Sequence, residues 1–366
     1  MIRMIKDQRF SFTSVFNDAT GEYMRGTNVK TDPFMAEFPH LIDVGIMGSC
    51  VHGRSGLCAE AGIGCYQNGL GQCEPDMILE HYKWIIDQCR GRTFEIALGG
   101  RGDPDMHRNF EEIIQYTRQN GIVPNFTTSG LGMTPEKAIL CQKYCGAVAV
   151  SWYSRLGREN GYTEQAIQRL LEAGVTTNIH YVLSNSTMDE AMLRLKEGLF
   201  PENINAVVFL LHKPVGQGMK EDVLDVKDPR VKEFFTLVDS GHFPFHIGFD
   251  SCSIPGILRW GRHTEGASID TCEGARFSMY IGADMMALPC SFDNQNKRFG
   301  VPLTGAVTGN NVPATTIEEA WNSDAFWRFR EGLAKRCPGC SRRDLCMGGC
   351  PLERDIVLCD APERTE

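Results

Sequence analysis

The chain has 366 residues, of which 42% are hydrophobic and 23% are charged, and this is the composition of a globular protein rather than of a disordered or fibrous one. The 37 Lys and Arg against 46 Asp and Glu give a net charge of −9, which argues against a large nucleic-acid-binding surface. No apolar run approaches the ~20 residues that a membrane helix requires, and residues 1–10 lack the apolar stretch of a signal peptide. We therefore predict a cytoplasmic protein with no nucleic-acid or membrane partner.

Residues 1–40 are polar and form an N-terminal segment in which we predict a hairpin around Thr20 and Gly21. From residue 41 to residue 250, short β-rich runs alternate with stretches of helical period, which is typical of a parallel α/β layer. Six or seven βα units are fewer than the eight of a closed TIM barrel, so we predict a partial (β/α)6 barrel with its site at the strand carboxyl ends. The predicted strands are 41–47, 94–98, 122–127, 147–152, 176–183 and 206–211, with a seventh at 245–249.

Helix signals lie between these strands. Thr134 and Thr163 stand where helix N-caps are expected. After residue 250, glycines, prolines and clustered cysteines replace the periodic segments, apart from one predicted helix near 317–335. Residues 251–366 are therefore predicted to form a second domain stapled by metal.

Fifteen cysteines are too many to be idle thiols in a reducing compartment where disulfides are disfavoured, so most of them are predicted to bind metal. The most specific pattern is C-x2-C-x5-C-x3-C, formed by Cys337, Cys340, Cys346 and Cys350, and Cys359 follows it. Thiolates at this spacing suit a structural zinc ribbon and an iron–sulfur site about equally.

Two further groups of cysteines shift this balance. Cys252, Cys272 and Cys290 raise the number of thiolates in the second domain to eight, enough for two four-iron clusters or for two zinc sites. Zinc does not explain Cys50, Cys58 and Cys65, which share one loop after the first barrel strand. Three thiolates leave one iron of a [4Fe–4S] cluster open to a ligand. Cys73 is an alternative member of this group.

With these motifs in place, residues 40–366 resemble radical S-adenosylmethionine (SAM) enzymes that carry a C-terminal SPASM domain. The resemblance implies a SAM-binding [4Fe–4S] cluster on the three-cysteine loop and two auxiliary [4Fe–4S] clusters. The family loop is C-x3-C-x2-C, whereas this loop is C-x7-C-x6-C, an insertion of small entropic cost. The implied auxiliary ligands are Cys272, Cys290 and Cys350 with Cys252 as the fourth, and Cys337, Cys340, Cys346 and Cys359.

The resemblance also implies SAM contacts at the ends of successive strands. The turn LGGRGD supplies glycines that let the backbone approach a ligand closely. The implied cofactor-binding residues are Gly99, Gly100, Thr128, Ser129, Ser151 and Asn178, together with Tyr66 beside the cluster loop. Asp103, His180 and Asp293 are candidate acid–base groups, although a loop Asp more often forms a turn.

The function implied by the resemblance is reductive cleavage of SAM to a 5′-deoxyadenosyl radical, which modifies a ribosomally made precursor peptide by cross-linking, epimerisation, excision or oxidation. An external electron donor would supply the reducing electron. The alternatives are a radical SAM enzyme acting on a small metabolite or carbohydrate, and a non-catalytic zinc- or cluster-binding regulatory protein. The first 40 residues are too few for a leader-binding domain with a stable core, so we expect a separate leader-binding protein, or strand addition to an edge of the enzyme.

Overall fold

A computed structural model describes residues 1–27, 33–56, 58, 63–71, 73–153, 161–263, 269–304 and 315–360. Over these ranges, no helix combines the length and the apolar character needed to cross a bilayer.

The described residues contain two β-sheets. The first contains β1 (Ile2–Asp7), β2 (Phe12–Asn17) and β3 (Tyr23–Thr27). The second contains ten strands, namely β4 (Leu41–Val44), β5 (Glu95–Leu98), β6 (Val123–Thr128), β7 (Val148–Ser151), β8 (Thr177–Leu183), β9 (Ala206–Leu211), β10 (His246–Phe249), β11 (Ser278–Ile281), β12 (Met286–Leu288) and β13 (Val301–Pro302).

The large sheet runs β10-β9-β8-β7-β6-β5-β4-β11-β12-β13. Its strands β4 to β10 are parallel and follow chain order, which confirms the predicted α/β layer and all seven of its strands. In the register of the first strand pair, Leu41 lies opposite Glu95 and Val44 lies opposite Leu98. The carboxyl ends of these strands therefore meet at one edge, where ligands bind in such folds.

Side chains along each strand alternate between a face that packs against the helices and the opposite, inner face. On β4 and β5, Ile42, Val44, Ile96 and Leu98 are buried in the main core against the helices. Because strand side chains alternate, Asp43 and Glu95 point to the opposite side, which we call the inner face.

The helices are α1 (Val51–Ser55), α2 (Leu79–Cys89), α3 (Phe110–Gln119), α4 (Pro135–Tyr144), α5 (Gly161–Glu172), α6 (Met188–Glu197), α7 (Pro229–Ser240), α8 (Ile254–Trp260), α9 (Ile317–Trp321), α10 (Asp324–Ala334) and α11 (Arg343–Cys346). The Thr134 side chain caps α4, as predicted. The prediction for Thr163 is wrong, because this residue lies inside α5 and its hydroxyl donates to the Ser129 carbonyl. The predicted helix at 317–335 is two helices, because the Ser323 side chain caps a new start.

The N-terminal residues form more than the predicted hairpin. The turn between β2 and β3 contains Gly21 at φ +74°, and β1 completes an antiparallel sheet. This sheet packs against the amino-terminal ends of the barrel strands, where Phe16 stacks on Phe94 with ring centroids 5.3 Å apart. Residues 1–27 therefore gain their core from the barrel rather than from a domain of their own.

The C-terminal region is joined to the barrel by a strand. β11 pairs in parallel with β4, so that Ser278 lies opposite Leu41 and Ile281 lies opposite Val44. β12 and β13 extend this edge in antiparallel pairing. The sheet thus crosses the predicted boundary between the two domains at residue 250.

Candidate active site and cysteine groups

The loop after β4 brings three predicted thiol ligands together. Cys50 caps α1, and its Sγ accepts a hydrogen bond from the Gly53 backbone at 3.4 Å. A Cβ atom placed on Gly69 would lie 3.7 Å from the Sγ atoms of both Cys50 and Cys65. Burial raises the pKa of the Cys58 thiol to about 12, and the nearby Cys50 and Cys65 add to this effect. The loop therefore presents a compact set of three soft donors beside a glycine.

Backbone contacts fix this loop in place. A Cβ on Gly48 would lie 2.2 Å from the carbonyl oxygens of Glu74 and Pro75, so the chain passes too closely for a side chain. The buried Arg101 guanidinium donates to the carbonyl oxygen of Gly48 at 2.9 Å and to that of Gln67 at 3.3 Å. Arg101 belongs to the LGGRGD turn, so the turn after β5 clamps both ends of the cysteine loop.

A buried network connects the loop to the turns after β5 and β6. The Ser129 hydroxyl donates to Asp103 Oδ2 at 2.6 Å and lies 2.7 Å from His52 Nε2. The other Asp103 oxygen accepts the Ser129 backbone N–H at 2.8 Å. His52 lies inside the cysteine loop. The predicted residues Asp103 and Ser129 therefore hold each other and that loop in position.

The glycine turn lies beside a tyrosine from the C-terminal region. Gly100 adopts φ +88°, a conformation that favours glycine, and a Cβ there would lie 2.8 Å from the Tyr280 hydroxyl. A Cβ on Gly99 would meet no atom within 4 Å. Open space therefore faces Gly99, where the sequence predicted a cofactor contact.

The remaining predicted cofactor residues differ in placement. Ser151 ends β7 on the inner face, where it pairs with His180 in the register. Asn178 lies near the amino end of β8, and its side-chain oxygen accepts from Asn205 at 2.8 Å. The Thr128 hydroxyl is turned to the packed side and donates to Asp105 at 2.8 Å. A Thr128 contact with a cofactor would therefore use its main chain.

The candidate acid–base groups His180 and Asp293 lie in different surroundings. Burial lowers the pKa of His180 to about 4, and its Nδ1 lies 3.3 Å from the Thr127 hydroxyl on the inner face. Asp293 is fully buried, and its carboxylate accepts the backbone N–H groups of Arg298 and Phe299 at 3.1 and 2.8 Å. This arrangement favours the turn-forming alternative for Asp293.

The sequence reasoning missed two carboxyl groups on the inner face. Burial raises the pKa of Asp43 to about 7. Burial also raises the pKa of Glu95 to about 7, although Glu95 accepts a hydrogen bond from Asn125 at 2.6 Å. An acidic residue at an inward position of an otherwise apolar strand, as in LIDVGI, is the signal that could have found Asp43.

Four cysteines form the first auxiliary group, and one of them, Cys252, follows the carboxyl end of β10. The four are Cys252, Cys272, Cys290 and Cys350. A hydrogen bond with Cys252 lowers the pKa of Cys350 to about 7. Burial raises the pKa of Cys272 to about 12, and the neighbouring Cys350 contributes. Burial likewise raises the pKa of Cys290, with contributions from Cys272 and Cys350. The four thiols are thus electrostatic neighbours in a buried space.

A second auxiliary group lines a small cavity near the C-terminus. Its apolar and cationic neighbours are Val357 and Arg343. Burial raises the pKa of Cys346, with contributions from Cys359 and Cys337. The cysteines that line this cavity are Cys337, Cys340, Cys346 and Cys359.

The other cysteines stand apart from these groups. Cys73 is exposed, whereas Cys89, Cys141 and Cys145 are buried. In the described part of the chain, no three His, Cys, Asp or Glu side chains are arranged to hold a single metal ion. The roles of the three cysteine groups as cluster ligands stay predictions.

Comparison with known proteins identifies the C-terminal region. Residues 272–346 match the SPASM iron–sulfur cluster-binding domain. This chain carries a SPASM domain. The match spans Cys272, Cys290, Cys337, Cys340 and Cys346, while Cys252, Cys350 and Cys359 lie outside it.

Relatives extend the likeness beyond the SPASM domain. The mycofactocin maturase MftC of Mycolicibacterium smegmatis is 24% identical over 324 residues, which cover 80% of this chain and 75% of that protein. The crystal structure of Streptococcus suis SuiB bound to precursor peptide SuiA matches with a TM-score of 0.71 at 13% identity, over 98% of both chains. The structure of anSMEcpe with bound AdoMet and the Kp18Cys peptide matches with a TM-score of 0.58 at 15% identity, over 85% of this chain and 89% of that one.

These comparisons confirm the predicted resemblance to radical SAM enzymes with a SPASM domain. They also confirm the predicted fold class, an α/β barrel layer followed by the SPASM domain.

Proposed function

We propose that this protein is a radical SAM peptide maturase whose three-cysteine loop holds the SAM-binding cluster. The observation that carries the proposal is the convergence of Cys50, Cys58 and Cys65 at the carboxyl edge of the barrel, beside the open space at Gly99. Three thiolates suit a [4Fe–4S] cluster with one open iron. The family that this chain resembles combines such a loop with a C-terminal SPASM domain, and residues 272–346 match that domain.

The auxiliary sites follow from the two cysteine groups. We propose one [4Fe–4S] cluster on Cys252, Cys272, Cys290 and Cys350, and another on Cys337, Cys340, Cys346 and Cys359, which brings the total to three. The partly buried thiols of Cys252, Cys272 and Cys290 favour a ligand that stabilises thiolates, because burial disfavours their charged form.

Bound SAM and its cluster would supply a 5′-deoxyadenosyl radical that takes hydrogen from the substrate. The protein's own part is to position the reactants. Gly99 and Gly100 leave room for the backbone to approach SAM, the His52–Ser129–Asp103 network fixes the cluster loop, and Ser151 and His180 line the inner face below it.

We propose a ribosomally made precursor peptide as the substrate. This is supported by the relatives, since SuiB was crystallised with its precursor peptide and MftC is a maturase. The sheet of residues 1–27 lacks a separate core, so we propose that a small partner protein binds the leader. We further propose a cytoplasmic location, since a chain with many cysteines that bind clusters suits a reducing compartment, and an external electron donor.

The test begins with protein reconstituted anaerobically with iron and sulfide. We expect 5′-deoxyadenosine from SAM and reductant in the parent protein, none in the C50A/C58A/C65A variant, and unchanged formation in the matched control C73S. Iron of the auxiliary sites should remain in the triple variant. SAM cleavage by the triple variant, or its loss in C73S, would show that the ligand assignment is wrong.

The substrate is tested by mass spectrometry. The parent protein is incubated with SAM, reductant and precursor peptides encoded near its gene, with and without a small partner protein encoded beside them. A change in peptide mass supports the proposal. Modification of a small metabolite or carbohydrate, with no peptide modified under either condition, would contradict it.

A further inference from the structure

A buried lysine lies next to the first auxiliary cysteine group. Lys213 follows β9, and its side chain is only 1% exposed. Its ammonium donates to Asp250 Oδ2 at 2.5 Å and to the Leu211 carbonyl at 2.8 Å. The nitrogen also lies 4.2 Å from the centre of the Phe292 ring. A lysine is rarely buried without a specific reason, because moving a charge out of water is costly.

Asp250 holds this ammonium from the end of β10. Its Oδ2 also accepts the Leu211 backbone N–H at 3.2 Å, and its Oδ1 accepts the Ser253 hydroxyl at 2.9 Å. Burial alone lowers the pKa of Lys213, but Asp250 and the adjacent thiols outweigh burial and raise it. The site therefore contains a fixed positive charge and a fixed negative charge, both held by hydrogen bonds.

The positive charge lies between two segments that carry cysteines of this group. Its partner Asp250 is two positions before Cys252, and Phe292, whose ring faces the ammonium, is two positions after Cys290. A group of four thiolates carries a large negative charge, and Lys213 is a buried cation beside it. Arg276 is a second one, and its guanidinium donates to the Cys272 carbonyl at 3.0 Å. Salt and water screen buried charges weakly, so this interaction is strong.

We propose that Lys213 is a positioning and charge-compensating residue that raises the reduction potential of the cluster on Cys252, Cys272, Cys290 and Cys350. Reduction adds one electron to a site that is already negative and forms no bond, so a buried cation stabilises the reduced state more than the oxidised state. Asp250 keeps the cation in place and partly offsets its charge. The inference rests on the proposed ligand set.

The proposal gives opposite signs for two variants. Lys213→Met keeps an unbranched chain of similar length but removes the positive charge, so the potential should become more negative. Asp250→Asn removes the negative charge, so the potential should become more positive. If Lys213 and Asp250 had a purely structural role, both substitutions would loosen the same site. The two variants would then not shift the reduction potential in opposite directions.

The experiment is an EPR-monitored redox titration of the anaerobically reconstituted full-length protein. We expect Lys213→Met to change the oxidised-to-reduced ratio at a fixed potential at least tenfold, which is ~59 mV for a one-electron couple. Lys213→Arg keeps the positive charge, so its reduction potential should stay close to that of the parent protein. The matched control is Lys196→Met, which breaks a surface pair with Glu233 at 2.8 Å and should shift nothing. The cluster on the second cysteine group is an internal reference.

The outcomes separate the two hypotheses. If the parent protein holds no auxiliary iron, the proposed ligand set is wrong. If iron and both auxiliary signals are present but Asp250→Asn and Lys213→Met shift the potential in the same direction, or not at all, the role of Lys213 is wrong. If Lys213→Met fails to fold, the other two variants test the proposal. The reduction potential must become more positive in Asp250→Asn and must stay near the parent value in Lys213→Arg.

Discussion

Tyr66 packs against Phe292 with ring centroids 4.5 Å apart and ring planes tilted by 36°. Tyr66 directly follows Cys65 on the barrel loop, and Phe292 lies two residues after Cys290 in the SPASM domain. Beside this pair, Asn294 donates to the Gln67 side-chain oxygen at 2.8 Å. The two cysteine segments are thus in contact through side chains, so each segment can influence the geometry of the other.

We expect this aromatic contact to contribute measurable coupling energy. A double-mutant cycle of Tyr66→Ala and Phe292→Ala should give a coupling of about 1 kcal/mol, since aromatic pairs in contact add roughly that much beyond their buried area. Denaturant unfolding of the iron-free protein measures it. The control cycle uses Phe243 and Phe245, whose ring centroids are 5.9 Å apart and whose variants should leave alkylation of Cys65 unchanged. Faster alkylation of Cys65 is expected only in the Tyr66 and Phe292 variants.

Gly48 should be intolerant of any side chain. A methyl group there would overlap the carbonyl oxygens of Glu74 and Pro75, and backbone atoms cannot rotate away as a side chain can. Gly48→Ala should therefore displace the cysteine loop and lower iron bound there at least several-fold while circular dichroism stays near that of the parent. Gly26→Ala, where a Cβ meets no atom within 4 Å, is the matched control. Equal iron in both variants would contradict this packing argument.

Acid should loosen the N-terminal sheet through His40. Burial lowers the pKa of His40 from 6.5 to about 4, and the ring accepts from or donates to the Tyr23 hydroxyl at 2.9 Å. Between these pH values the unfolded state binds more protons than the folded state, so stability falls as the pH falls from 6.5 to 4. The loss attributable to His40 is at most about 3 kcal/mol.

The pH prediction is checked by comparing His40→Gln with the parent by hydrogen exchange of residues 1–27. The difference in protection between pH 7 and pH 4.5 should be smaller in the variant. His246→Gln, at an exposed position on β10, should behave as the parent does. Identical pH profiles for parent and His40→Gln would show that His40 does not control the docking of this sheet.

The effect of Asp43 on stability should depend on pH in the opposite direction to that of His40. The pKa of Asp43 rises from 3.8 to about 7, so the folded state retains the proton while the unfolded state has lost it, and stability falls as the pH rises from 4 to 7. Asp43→Asn should therefore be more stable than the parent at pH 8, by about 2–4 kcal/mol after allowance for partial exposure. Urea unfolding of parent and variant at pH 4 and pH 8 measures this. A variant that gains nothing at pH 8 would contradict the shifted titration.

Removal of iron should loosen the C-terminal region unevenly. α11 contains no buried residue, so bound metal would supply much of the folding free energy of the segment around it. Leu352, Ile356 and Leu358 instead belong to the main core, and β11 is paired with β4 in the large sheet. After chelation, hydrogen exchange should therefore quicken in residues 337–349 while β11 remains as protected as the barrel strands. Uniform protection of both segments in iron-free protein would mean that the metal is not a structural staple.

Much of the fold and many site residues could be predicted from the sequence. The alternation of β-rich runs with helical periods predicts strand identity and order, because burial on both faces of a parallel sheet leaves a local apolar pattern. Short spacings likewise predict that Cys50, Cys58 and Cys65 form one group of thiols and that Cys337, Cys340 and Cys346 lie together, because ligands close in the chain lie close in space. The grouping of Cys252, Cys272, Cys290 and Cys350 was implied only by the family resemblance, because these residues are far apart in the chain. The helix cap at Thr134 could also be predicted from the sequence, because its hydrogen bond joins residues only three positions apart.

Tertiary structure decided what depends on residues far apart in the chain. The pairing of β11 with β4 joins residues more than 200 positions apart, and no local pattern encodes it. The Lys213–Asp250 pair, the Tyr66–Phe292 contact and the raised pKa of the inner-face carboxyl of Asp43 have the same origin. Each depends on which side chains meet when the strands assemble into one sheet, because burial in the folded chain then determines the charge and the contacts of these groups.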